Sequence, residues 1–179
     1  MRYVVLLRGV NAGGNRRVPK QEFQAVLEKL GFRDVIIYIN SGNAIFTSDN
    51  AVDENKVQSA LEEHFGFTIP TLLISGEKIV EIANSIPHDW ANDAPRPDKS
   101  GQKSDVIYLF DEINTPDILS RIGYKPGIEN MIYINGAVLT NITRRNQSKG
   151  SLQKLIGTDL YSYMTIRNIN TARKLAELI

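Results

Sequence analysis

The segment GFRDVIIYIN at residues 31–40 and the segment GIENMIYIN at residues 127–135 follow one pattern. Each begins at a glycine, continues as an apolar run and ends at an asparagine beside a glycine turn, after which a second apolar run follows. Two apolar runs that flank a turn of Asn, Ser and Gly are typical of a β-hairpin. The recurrence therefore predicts an internal duplication, with one hairpin in each half of the chain.

The elements around the two hairpins follow the same order in both halves. Each hairpin is preceded by an apolar strand and an amphipathic helix and is followed by a second helix and a last strand. The predicted strands and helices outside the hairpins lie at residues 2–8, 19–30, 53–66 and 70–74 in the first half and at 105–110, 115–122, 148–157 and 162–166 in the second. This order predicts an α+β protein of two tandem ferredoxin-like (βαββαβ, α/β-plait) units, with additional helices after each unit, at 77–86 and 170–179.

The composition changes abruptly between the two halves. Residues 87–104 hold three prolines among many polar residues, which is typical of a linker. We therefore divide the chain into a first unit with its trailing helix at 1–86, the linker at 87–104, and a second unit with the C-terminal helix at 105–179. The predicted strands are apolar on both faces, so we expect both faces of each sheet to be covered, unlike the open stacking face of an RNA-recognition module.

The composition also limits the chemistry. The 179 residues include no cysteine and only two histidines, which excludes disulfides and thiolate nucleophiles and gives little support to a zinc site or a catalytic triad. We assign no catalytic residue, no metal ligand and no cofactor, and whether the protein is an enzyme stays open. No cysteine, no cleavable leader and no membrane-spanning stretch favour a cytoplasmic protein without a membrane partner. The sequence leaves the oligomeric state open.

The glycine-rich loop after the first strand is one candidate site. Gly9 and Gly14 have the spacing of a phosphate-binding loop, but Asn15 and Arg16 stand where that loop needs lysine and a hydroxyl residue. Such glycines have two explanations: a turn that requires positive φ, or a close approach of the backbone to a ligand. Both interpretations stay open. The polar residues around the loop favour ligand binding; the candidates here are Arg8, Asn11, Gly13, Gly14 and Asn15.

The C-terminal region is the second candidate site. Residues 144–174 contain seven basic residues and one acid, Asp159, although the net charge of the whole chain is only +1. Arg167 is placed between the last strand and the last helix, where Asn170 or Thr171 would cap the helix, and its guanidinium suits a carboxylate or phosphate. The candidates here are Lys149, Thr165, Arg167, Asn168 and Asn170.

Four segments together resemble the bacterial domain-of-unknown-function family 1697. They are LLRGVNAGGNRRVPK at 6–20, LGFRDVIIYINSGNAIF at 30–46, the Ser-Lys pair at 148–149 and TIRNINTARKLAEL at 165–178. The resemblance implies a duplicated α/β-plait fold and no established activity.

These observations favour binding of a small anionic ligand, such as a nucleotide or a phosphorylated metabolite, in a cleft between the two units. Two alternatives stay open. One is an enzyme that acts on such a ligand by electrostatic positioning, and the other is a nucleic-acid-binding protein that uses the basic 144–174 stretch. The low net charge makes nucleic acid the less favoured partner.

Overall fold

The two hairpins lie in two separate four-stranded antiparallel sheets of a computed structural model that describes all 179 residues. The first sheet has the order β2-β3-β1-β4 and the second the order β6-β7-β5-β8, so corresponding strands occupy corresponding places. The strands are β1 Arg2–Leu7, β2 Arg33–Tyr38, β3 Asn43–Thr47, β4 Thr71–Ser75, β5 Gln102–Leu109, β6 Glu129–Ile134, β7 Ala137–Thr143 and β8 Met164–Asn168. This arrangement confirms the predicted α+β class with two tandem ferredoxin-like units.

Helices flank each sheet. The helices are α1 Lys20–Lys29, α2 Glu54–Phe65, α3 Gly76–Asn84, α4 Ile118–Ile122, α5 Leu152–Leu155, α6 Asp159–Ser162 and α7 Ile169–Glu177, and 3₁₀ turns occur at Asp111–Ile113 and Arg144–Lys149. The chain divides into a first unit of Met1–Val80 with Leu175–Ile179 and a second unit of Glu81–Lys174. Residues 87–101 contain neither helix nor strand. None of the helices combines the length and the apolar character that crossing a bilayer requires.

The helix α2 illustrates how local sequence sets the element bounds. The Asp53 carboxylate accepts a hydrogen bond from the backbone N–H of Asn55 at 3.0 Å and so caps the first turn. Gly66 has φ of 74° and ends the helix in the left-handed conformation. Between them, Val57 and Leu61 face the core of the first unit.

Both faces of the central strands β1 and β5 are buried, as their apolar runs predict, whereas Ile36 in the edge strand β2 and Ile132 in the edge strand β6 are exposed. In β1, Val5 and Leu7 belong to the core beneath α1 and α2, while Val4 and Leu6 on the opposite face are also completely buried. In β5, Ile107 packs in the core of the second unit and its neighbour Tyr108 is equally inaccessible on the other face. Neither face of these two central strands is thus left open for stacking nucleobases.

The prediction of one helix over residues 148–157 is wrong. The chain instead forms the 3₁₀ turn Arg144–Lys149, the single turn α5 and, after Gly157, the single turn α6. Gly150 is extended, with φ of −66° and ψ of 159°, and Gly157 has φ of 88°, so neither can continue a helix. The second unit therefore lacks a long second helix.

Candidate functional site

A basic pocket lies in the second unit where the 3₁₀ turn Arg144–Lys149 meets the irregular segment 95–99. The pocket has a volume of about 370 Å³. Its lining contains four cationic side chains and no carboxylate; the residues are Pro95, Arg96, Lys99, Arg144, Arg145, Gln147, Ser148 and Gln153. We call this feature the basic pocket.

Arg144 joins the two segments that form the basic pocket. Its backbone N–H donates to the carbonyl of Gly101 at 2.9 Å, and its guanidinium donates to the carbonyl of Asp93 and, at 3.3 Å, to the amide oxygen of Gln147. The 3₁₀ turn is therefore tied to both ends of the loop that carries Arg96 and Lys99.

The positive charge of the basic pocket is only partly compensated nearby. The pKa of Asp98 is lowered, first by a hydrogen bond from the backbone N–H of Ser100 at 3.0 Å and to a lesser degree by the charge of Arg96. Lys99 and Arg145 are exposed and form no ion pair. Cations from separate segments that converge on a pocket with no acid in its lining raise the local concentration of anions.

The glycine loop has a structural explanation of its own. The side-chain oxygen of Asn11 accepts from the N–H of Val18 at 2.8 Å, and its amide nitrogen donates to the carbonyls of Val18 at 3.1 Å and Asn40 at 2.9 Å. Gly13 and Gly14 have φ of 67° and 82°, so the turns alone account for glycine at both positions.

Three of the first-unit candidates do meet at one cavity. Asn11, Gly14 and Asn15 line an open cavity of about 620 Å³, which also includes Arg17. Arg8 is half-buried at the end of β1, where its backbone N–H donates to the carbonyl of Pro70 at 2.9 Å. A ligand-binding role of these residues stays a prediction.

The connection predicted around Arg167 is wrong. Thr165, Arg167 and Asn168 lie within β8, which extends to Asn168 because its backbone stays paired with β5 up to Asp105. The helix α7 begins at the next residue, and Asn168 caps it by accepting from the N–H of Thr171 at 2.9 Å. The cap is therefore neither Asn170, which is exposed, nor Thr171.

Arg167 is a buried residue with an exposed fraction of 8%. Its guanidinium donates to the hydroxyl of Thr165 at 2.8 Å and to the carbonyl of Ile166 at 2.9 Å. Burial lowers the pKa of Arg167 to about 10, and the side chain stays charged at neutral pH. Arg167 does not line the basic pocket.

Lys149 is the remaining second-unit candidate. It is exposed beside the basic pocket, to which its neighbour Ser148 contributes, and its carbonyl accepts from the ammonium group of Lys125 at 2.7 Å. Sequence reasoning singled out the basic stretch but missed Arg96, Lys99, Gln147 and Gln153. The sequence signal for Arg96 and Lys99 is their position in a loop with Pro95 and Pro97, because prolines restrict the backbone that carries these two cations.

Both histidines lie on the surface of the protein. His64 lies on the exposed face of α2, with its Nε2 atom 3.1 Å from a carboxylate oxygen of Glu22, and His88 is also exposed. No cluster of three or more His, Cys, Asp or Glu is placed to hold a metal ion.

Tyr108, beside Arg167, provides a testable consequence of burial. Its hydroxyl is fully buried without a hydrogen-bond partner, and burial raises its pKa, opposed by the charge of Arg167. Because an unsatisfied buried hydroxyl costs about 1–3 kcal/mol, we expect Tyr108→Phe to raise the free energy of unfolding by about 1 kcal/mol in urea denaturation at pH 7.

The same substitution should change the alkaline limb of the stability curve. With a raised pKa, the Tyr108 hydroxyl keeps its proton in the folded state after the unfolded chain has lost it, so the free energy of unfolding falls as pH rises above about 10. Tyr108→Phe should flatten that loss, and Tyr163→Phe, at an exposed tyrosine, should not. A destabilised Tyr108→Phe protein would mean that the hydroxyl has a partner.

Comparisons with known proteins place this architecture among proteins of unknown function. A family model described as "Protein of unknown function (DUF1697)" matches residues 1–139, which includes the 95–99 side of the basic pocket but not its 144–153 side. The solved structure of the conserved bacterial protein SP0830 from Streptococcus pneumoniae is similar over 99% of this chain and 97% of that chain, with 25% sequence identity and a TM-score of 0.79. No curated protein matches the chain.

Proposed function

The chain belongs to the DUF1697 family of proteins of unknown function, and we propose that its second unit binds a small phosphate-bearing ligand in the basic pocket. The observation that carries the proposal is the convergence of Arg96, Lys99, Arg144 and Arg145, from two separate segments, on a pocket without an acid. Phosphate, a dianion near neutral pH, matches this charge better than a carboxylate does.

The geometry supports recognition by several donors of different kinds. Arg144 is fixed by its bonds to Asp93 and Gln147, whereas Arg145 and Lys99 keep their donors unused. Guanidinium groups bind phosphate oxygens in a bidentate manner, and Ser148 and Gln153 add neutral hydrogen-bonding groups beside them.

Binding rather than turnover is the function that we propose. No histidine or carboxylate lines the basic pocket, so no general base or acid stands beside a bound phosphate there. Catalysis by electrostatic positioning would need only the same cations, and turnover of a bound ligand would establish it. A cytosolic location, which a chain without cysteine favours, is part of the proposal.

The test is titration of the protein with inorganic phosphate, followed by NMR of its backbone and arginine side-chain groups. We expect saturable shifts confined to residues 95–99 and 144–153, with an affinity that falls as sodium chloride is added. Arg145→Ala should weaken binding roughly tenfold or more, which is the scale of losing a charge-assisted hydrogen bond.

The matched control is Lys154→Ala, which removes an exposed cation of α5 that does not line the basic pocket. This substitution should leave the affinity within about a factor of two, because exposed charges outside the pocket are screened. Equal weakening by both substitutions would mean that phosphate responds only to the general field of the basic stretch. Salt-sensitive retention of RNA or DNA with no phosphate binding would favour the nucleic-acid alternative.

A further inference from the structure

A second, smaller cavity of the same unit adjoins the basic pocket. It has a volume of about 120 Å³, and Gln147 and Gln153 line both cavities. Its other lining residues are Lys103, Asp105, Glu129, Thr140, Ile142, Gly150, Leu152, Ile156, Tyr161 and Ile166. We call this feature the apolar cavity, because four aliphatic side chains line it together: Ile142, Leu152, Ile156 and Ile166.

The wall of the apolar cavity includes a large aliphatic side chain that is not buried. Ile142 is buried, and Leu152 and Ile166 are half-buried against the core of the unit. Ile156, by contrast, keeps an exposed fraction of 62%, the largest among the exposed aliphatic residues after Met1. When an apolar ligand group covers an exposed isoleucine beside a cavity, apolar surface leaves water and the binding free energy becomes more favourable.

The charged groups of the apolar cavity are already bound to each other or to the chain. Lys103 forms an ion pair with Asp105. The Glu129 carboxylate accepts from the backbone N–H of Ser151 at 3.0 Å, from the Ser151 hydroxyl and from the N–H of Lys125 at 3.2 Å. Lys103 and Asp105 offset each other, whereas the Glu129 carboxylate has no cationic partner and keeps its charge stabilised by these hydrogen-bond donors.

Gly150 keeps the backbone close to this wall. A Cβ atom at this position would lie 2.9 Å from Cδ1 of Ile142 and 3.0 Å from Oε2 of Glu129. Between the two cavities the backbone thus passes close to the Glu129 carboxylate at Gly150, a residue without a side chain. Gln147 and Gln153, which stand on either side of it in the sequence, mark the boundary that the cavities share.

We infer that the ligand of the basic pocket is a phosphate monoester of a compact apolar alcohol, whose organic group occupies the apolar cavity. The inference rests on the proposed function, because the basic pocket must hold the phosphate. The apolar cavity, of about 120 Å³, is close in volume to an engineered protein cavity of about 150 Å³ that binds benzene. A single aromatic ring or a short branched chain is therefore the right size for it.

The experiment compares phenyl phosphate, inorganic phosphate and phenol on the same folded protein. We expect phenyl phosphate to bind about tenfold more tightly than inorganic phosphate, because its ring leaves water on binding. Ring-current shifts of the Ile142 and Ile166 methyl groups should appear with phenyl phosphate and be absent with inorganic phosphate. Phenol alone should bind more weakly than phenyl phosphate, because it lacks the anionic group.

Ile156→Asn tests the wall directly, and we expect the variant to fold normally, since the side chain is largely exposed. The substitution should lower the affinity for phenyl phosphate about fivefold and leave the affinity for inorganic phosphate unchanged. The matched control Ile132→Asn, at an exposed residue of β6 outside both cavities, should change neither affinity.

The outcomes separate this inference from the proposed function. If inorganic phosphate binds in an Arg145-dependent manner but phenyl phosphate binds no more tightly, the apolar cavity takes no part and the inference is overturned while the proposed function stands. If neither compound binds, both are overturned. Tighter binding of phenyl phosphate without shifts at Ile142 and Ile166 would place the ring elsewhere and also overturn the inference.

Discussion

Gly42→Ala is expected to lower the free energy of unfolding by about 3 kcal/mol, because it combines backbone strain with a steric clash. Gly42 has φ of 71°, in the left-handed region that an alanine adopts at a cost of about 1–2 kcal/mol. A Cβ atom there would also lie 2.7 Å from Cβ of Leu7 and 2.8 Å from Cγ2 of Val10, both in the core of the first unit. The backbone cannot retreat freely, since the Gly42 carbonyl accepts from the N–H of Leu7 at 2.8 Å.

Gly13→Ala is the matched control for this substitution. Gly13 has a similar φ of 67°, but a Cβ atom there would have no neighbour within 4 Å. Its substitution should therefore cost only the strain, about 1–2 kcal/mol. Urea denaturation of both variants measures the difference. Equal losses would mean that the turn at Gly42 is not packed against Leu7 and Val10.

The Gly42 turn belongs to the part of the fold that sequence reasoning predicts well. Apolar runs on both sides of residues 40–43 define the hairpin locally, and the second copy at 127–135 provides an independent instance of the same pattern. The order of strands and helices then follows from short-range signals, such as the Asp53 cap and the Gly66 stop of α2.

Elements that depend on long-range pairing were predicted less accurately. The end of β8 is set by its register with β5, and nothing in the local sequence around Arg167 indicates that pairing continues to Asn168. The apolar spacing of residues 152–156 suits a helix, but glycines on both sides confine it to the single turn α5. In both places tertiary structure overrides local preference.

Only one of the two segments that form the basic pocket could be predicted from the sequence. An excess of positive charge in residues 144–174 is visible in the sequence, and it includes Arg144 and Arg145. Its partners Arg96 and Lys99 come from a segment that sequence reasoning treats as a linker, and they reach the pocket through bonds from Arg144 to Asp93 and Gly101. Such contacts between distant segments have no periodic signal.

Arg167→Ala is also expected to lower the free energy of unfolding by about 3 kcal/mol, as truncations of large buried side chains do. The substitution leaves a cavity on β8 and removes the donor to the Thr165 hydroxyl and the Ile166 carbonyl. This expectation differs from the sequence-based one, in which the guanidinium of Arg167 contacts an anionic ligand. Urea denaturation distinguishes the two, because an exposed ligand contact would leave the midpoint unchanged.

Arg167→Met separates packing from charge in the same experiment. Methionine fills most of the volume and carries no charge, and the lowered pKa of Arg167 means that the folded protein holds the charged guanidinium less favourably than water does. Replacing a buried charge by an apolar group of similar size is often neutral, so the loss should stay below about 1.5 kcal/mol. Titration with inorganic phosphate completes the comparison. If Arg167→Met leaves the stability unchanged but lowers the phosphate affinity tenfold, Arg167 contacts the ligand. If the phosphate affinity is unchanged, the role of Arg167 is confined to the fold of the second unit.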